Sequence, residues 1–102
     1  MHPAIAQHRS GISAICQRFG IRRLEVFGSA ARADDFDPEH SDVDFLVEFA
    51  PGTQPGLDTF FGAKTALEAL LGRGVDLVEP GAVRNPYVLA SINRHREAVY
   101  AA

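Results

Sequence analysis

The sequence predicts an α/β (α+β) domain: a small mixed sheet of about three strands flanked by helices, in the order α-β-α-β-α-β-α. Two observations carry this. Short β-prone runs alternate with longer runs whose apolar residues recur at helical spacing, and glycine or proline separates them. The links also differ in length. The second strand reaches the third through a long helix, the kind of crossover that joins parallel strands. The first reaches the second through a shorter link that allows an antiparallel pair.

Taken in order, residues 3–19 read as an amphipathic helix, with Ile5, Ile12, Ile15, Cys16 and Phe19 on its apolar stripe. Gly20 follows as a C-terminal cap, and Gly11 is a weak point within. Residues 21–27 (IRRLEVF) form a first strand that stops at Gly28. Residues 29–33 (SAARA) have helix-forming composition, with Ser29 as N-cap. Residues 34–40 (DDFDPEH) are polar, contain Pro38 and read as a loop. Residues 42–49 (DVDFLVEF) alternate, placing Val43, Phe45 and Val47 on one face and Asp42, Asp44, Leu46 and Glu48 on the other. PGTQPG breaks the chain, and residues 57–71 follow as a helix with a wide apolar stripe that Gly72 and Gly74 end. Residues 75–78 (VDLV) are a third strand. Pro86 to about Tyr100 reads as a last helix carrying Val88, Leu89, Ile92 and Val99.

With 102 residues, the sequence calls for one domain, 1–102. The net charge of −3 and the lack of a Lys/Arg block argue against a nucleic-acid partner, because domains that grip a phosphate backbone are usually basic. The single cysteine, Cys16, allows neither an internal disulfide nor a Cys-based zinc site. Together with the absence of a signal core and of a long apolar run, this leads us to expect a cytoplasmic chain with no membrane anchor.

The chemistry concentrates in residues 27–47. Asp42 and Asp44 lie two apart on a strand, so they project together, roughly 7 Å apart at Cα. Two carboxylates so placed repel, and either a cation sits between them or one takes up a proton. Oxygen donors without a His/Cys cluster favour Mg²⁺ or Mn²⁺ over zinc. Asp76, flanked by apolar residues on the third strand, joins them if the second and third strands are neighbours. Three acids on one patch would suit two metal ions bridging a polyphosphate. Gly28 lets backbone approach a ligand, and the helix beginning at Ser29 offers free N–H groups to an anion. Arg32 is either a phosphate contact or a strut to the acidic loop. Residues 35–46 fail as a calcium loop, with His40 at the glycine position, and residues 56–65 fail as a P-loop by spacing.

GSAAR followed by SDVDFLV resembles the signature of the polymerase-beta-like nucleotidyltransferase superfamily. VDLVEPGAVRNPYVLASINRHREAVY is similar to the C-terminal region of its minimal nucleotidyltransferases. The resemblance implies that Gly28 and Ser29 hold the nucleotide phosphates, that Asp42 and Asp44 bind Mg²⁺, and that Asp76 is the third metal-binding and catalytic acid. It implies transfer of a nucleoside monophosphate, AMP from ATP, to a hydroxyl of a partner protein, in several members a helical HEPN-type toxin. Two features depart from the usual pattern: Ala33 where many relatives have Gly, and an unusually acidic loop 34–40. A non-catalytic antitoxin or scaffold with a vestigial nucleotide site is the alternative reading. Acceptor, preferred base and homo-oligomeric state stay open.

Overall fold

The computed structural model describes residues 3–27, 42–52, 56–82, 84–94 and 96–102. The elements are α1 (Pro3–Ala6), α2 (Arg9–Phe19), β1 (Ile21–Phe27), β2 (Val43–Phe49), α3 (Leu57–Leu71), β3 (Val75–Val78), a single 3₁₀ turn (Pro80–Ala82), α4 (Pro86–Arg94) and β4 (Arg96–Ala101). The strands form one sheet in the order β3-β2-β1-β4. β1 is antiparallel to both β2 and β4, and β2 is parallel to β3. The mixed sheet expected from the link lengths therefore forms, and the crossover through α3 makes its parallel pair.

Two expectations need correction. The last helix does not run to Tyr100: it ends at Arg94, and Arg96–Ala101 pairs with β1 as a fourth strand. Arg, Glu and Ala favour helix in isolation. β1, however, has a second edge whose backbone groups need partners, and pairing there buries Val99 to 9% exposure within the core. The first helix is also interrupted. Gln7 and His8 form a turn whose amides donate to the carbonyls of Pro3 (3.1 Å) and Ile5 (3.0 Å). Both Ile5 and Ile12 are fully buried on either side of this turn. The expected helix at 29–33 and loop at 34–40 lie outside the described residues.

One face of the sheet makes the core. Leu24 and Val26 of β1, Val43, Phe45 and Val47 of β2, and Val75 and Leu77 of β3 are all buried. Ile12 and Cys16 of α2 and Ala63, Leu67 and Leu71 of α3 join them in one apolar cluster. Burial pushes the Cys16 thiol up to about 12, so at neutral pH it is an inert packing group. The two long helices approach closely because each brings a glycine to the other. A Cβ on Gly11 would lie 2.8 Å from Leu70 Cδ1, and one on Gly62 would lie 3.0 Å from Phe19 Cε1. Gly20 ends α2 in the left-handed region (φ 71°), its N–H donating to the Cys16 carbonyl, and this reverses the chain directly into β1.

The strand period of two sends alternate side chains to the opposite face. That face carries Asp44 and Leu46 of β2, Asp76 of β3, and Glu25 and Phe27 of β1.

Candidate active site

Ladder register assembles the site. Asp44 of β2 is paired with Asp76 of β3, and on its other side with Phe27 of β1, which in turn pairs with Arg96 of β4. The row Arg96–Phe27–Asp44–Asp76 thus crosses all four strands. Paired residues in a sheet share a face, so the two aspartates stand side by side, with neighbouring strands about 4.8 Å apart. Asp42 and Asp76 are exposed and Asp44 is half-buried.

The Asp44 carboxyl is hydrogen-bonded to that of Asp76, and its pKa is raised to about 6. Burial is the largest cause, followed by the charge of Asp76, the hydrogen bond to Asp76 and the charge of Asp42. Every contribution pushes the same way. Two carboxyls this close resist being charged together, so Asp44 keeps its proton to a higher pH than an ordinary aspartate.

Backbone contacts fix the phase of the two strands. The Val43 amide donates to the Gly74 carbonyl (3.0 Å), which starts the parallel ladder. The Val75 amide donates to Glu68 Oε2 of α3 (3.3 Å), tying the start of β3 to the helix before it. Asp42 lies over Gly74, where a Cβ would come 2.5 Å from Asp42 Oδ1.

Beside this cluster stands a second charged group with a different character. Glu25 is 5% exposed. It accepts two hydrogen bonds from Arg96, from Nε to Oε2 and from Nη2 to Oε1, both 2.8 Å, and pairs with Arg23 Nε at 2.8 Å. The Arg96 hydrogen bond holds the Glu25 carboxyl below its ordinary range, although burial opposes it. Arg96 Nη1 also donates to Asn93 Oδ1 (2.7 Å). The Arg96 guanidinium is therefore committed to Glu25 and Asn93 and contributes nothing to lowering Asp44.

Of the residues singled out in the sequence, Asp42, Asp44 and Asp76 come together at one end of the β2–β3 pair. Gly28, Ser29 and Arg32 lie outside the described residues. Three participants were missed: Gly74, Glu68 and the Glu25–Arg96 pair. The signal for Glu25 was present as a lone acid inside the apolar run LEVF, but its main partner is 71 residues away. The contact of Gly74 with Asp42 depends on strand register.

Among the described residues, no group of three His, Cys, Asp or Glu side chains is arranged to hold a metal ion. The donor chemistry of the acids still fits a hard divalent cation. All the donors are carboxylate oxygens, and the crowding that keeps a proton on Asp44 is what such an ion relieves.

A mixed sheet with carboxylates paired across its parallel strands defines an α+β domain of the nucleotidyl-transferring class. The match is direct: this chain belongs to the Nucleotidyltransferase domain family, which covers residues 9–99. The protein adenylyltransferase MntA of Thermococcus cleftensis is 40% identical over 84 residues, spanning 82% of this chain and 78% of that protein. A solved structure described as a minimal nucleotidyltransferase superposes with a TM-score of 0.69 at 35% identity, covering 89% of this chain and 88% of the other. The complex of tri-AMPylated Shewanella oneidensis HEPN toxin with an MNT antitoxin contains a chain that matches with a TM-score of 0.66. That match covers 96% of this chain and 73% of the other at 14% identity, a likeness of fold alone.

Proposed function

We propose that this nucleotidyltransferase is a Mg²⁺-dependent protein adenylyltransferase, built as one domain over residues 1–102. It moves AMP from ATP to a hydroxyl of a helical HEPN-type partner and thereby acts as an antitoxin, in the cytoplasm. The names of its relatives support the adenylyl group and the partner. The single observation that carries the chemistry is the in-register Asp44–Asp76 pair, whose crowding raises the Asp44 pKa to about 6, with Asp42 two residues upstream.

In this reading Asp42, Asp44 and Asp76 hold the divalent ions, two in number, with Mn²⁺ able to replace Mg²⁺. Those ions supply charge neutralisation for the triphosphate and the departing pyrophosphate. Asp44 must lose its proton before it can act as a ligand. Asp76, at the edge of the described sheet, accepts the proton of the acceptor hydroxyl. The hydroxyl oxygen bonds to the α-phosphorus as the bond to pyrophosphate breaks, and pyrophosphate carries away the electron pair. None of the acids is used as a covalent nucleophile, so transfer is direct. Gly28, Ser29 and Arg32 are assigned to the triphosphate. Most of the acceleration then comes from positioning and preorganised charge.

The test is incubation with ATP labelled at the α-phosphorus, Mg²⁺ and the product of the adjacent gene. Label is expected on a hydroxyl side chain of the partner, reduced at least about 10²-fold by Asp44→Asn or Asp76→Asn. Tight partner binding with no transfer would instead establish the non-catalytic antitoxin. Transfer unaffected by either substitution would remove the acids from the chemistry.

A further inference from the structure

We infer that Gly74 is a positioning residue that gives Asp42 a resting place outside the cation site. The inference rests on the proposed role of Asp42 as a ligand. Three observations lead to it. The Asp42 carboxylate covers the bare face of Gly74: an ideal Cβ there would stand 2.5 Å from Oδ1, 3.0 Å from Cγ and 3.5 Å from Oδ2. The contact is imposed by the ladder, because the amide following Asp42 donates to the Gly74 carbonyl (Val43 N to Gly74 O, 3.0 Å). Finally, Asp44 and Asp76 hydrogen-bond to each other, while no three acids among the described residues are arranged to hold an ion. The charge of Asp42 still reaches Asp44, but its carboxylate lies against the glycine.

Gly74 is not needed there for its backbone, since the positive-φ glycines among the described residues are Gly20, Gly52 and Gly72. An alanine is therefore compatible with the chain path, and a Gly→Ala change at such a site leaves stability unchanged or raises it. What alanine cannot share is the space of the Asp42 carboxylate. Asp42 is exposed, so its side chain can yield by rotating about χ1. Removing one of three staggered wells raises the population of the others, including the one that turns toward Asp44 and Asp76. A ligand that needs a minority conformer binds more weakly by the fraction populated. Filling the resting place should therefore strengthen cation binding even though no donor is added.

The experiment is titration of the nucleotide-free protein with Mn²⁺, read by electron paramagnetic resonance at pH 7.5, in wild type, Gly74→Ala and Gly74→Ser. Both variants carry the same Cβ, and melting curves establish that each is folded. Mn²⁺ is expected to bind each variant about threefold more tightly than wild type. The gain should vanish when Asp42→Asn is combined with Gly74→Ala, because the effect acts through that carboxylate. Unchanged or weaker binding in the folded variants would overturn the inference while leaving the cation site standing. A gain that survives Asp42→Asn would overturn it as well. Wild type that binds no Mn²⁺ would remove the cation site and this inference with it.

Discussion

Asp44 and Asp76 face each other in register across the parallel β2–β3 pair, and their carboxyls share a hydrogen bond. A half-buried acid held next to two others is a cost to the fold whenever it is ionised. Asp44 has its pKa raised above the ordinary aspartate value, to about 6. The folded state therefore binds this proton more tightly than the unfolded chain, and stability from this group falls as pH rises between the ordinary value and about 6. Asp44→Asn keeps the shape and removes the charge. It is expected to melt higher than wild type at pH 8 by roughly 5 °C, or about 1 kcal/mol after allowing for solvent screening. The gap should close at pH 4. Thermal melts at the two pH values check this, and a variant less stable than wild type at pH 8 would contradict it.

The same proton competes with a cation. One proton displaced per ion bound makes apparent affinity pH-dependent. Mn²⁺ affinity of the wild-type protein is expected to drop about tenfold between pH 7 and pH 5, with the bend near 6. Calorimetry across that range reads it directly. A flat profile would mean that Asp44 is not a ligand.

Glu25 responds in the opposite direction. Arg96 lowers its pKa, so its stabilisation is fully present above the ordinary glutamate range and is lost as pH falls through the lowered value. Glu25→Gln should cost about 1–3 kcal/mol at pH 7, within the range for a hydrogen bond to a charged group. The penalty should shrink below pH 4. Amide exchange in β4 (Arg96–Ala101) should speed up more than in β2, because the Arg96–Glu25 pair joins β4 to β1.

Phenylalanines on the two sides of the core boundary separate packing from surface. Phe45 is fully buried on β2, and Phe61 is 52% exposed on α3. Phe45→Ala should destabilise by about 3–5 kcal/mol, enough to unfold much of the population of a domain this size. Phe61→Ala should cost less than about 1 kcal/mol. Denaturant midpoints at matched slope test the pair.

Much of this molecule was legible because its local signals agree with its tertiary needs. Ile21–Phe27, Leu57–Leu71 and Val75–Val78 form where composition and period place them. The alternation Val43, Phe45, Val47 identified the buried face of β2, and the same period of two put Asp42 and Asp44 on the other. The stretch Arg96–Ala101 was misread because its helix propensity is real and its strand partner, β1, lies some 70 residues earlier in the chain. The Gln7–His8 turn was hidden because Ile5 and Ile12 keep a seven-residue spacing across it.

Local chemistry alone determined the presence of alternating elements, the identity of the buried strand face and the shared face of Asp42 and Asp44, since each depends on residues a few positions apart. Tertiary structure decided the rest. Strand register brought Asp76 beside Asp44, set Gly74 under Asp42 and delivered Arg96 to Glu25. Register is settled by burying one whole face at once against two helices, a global sum over both strands to which no short segment has access.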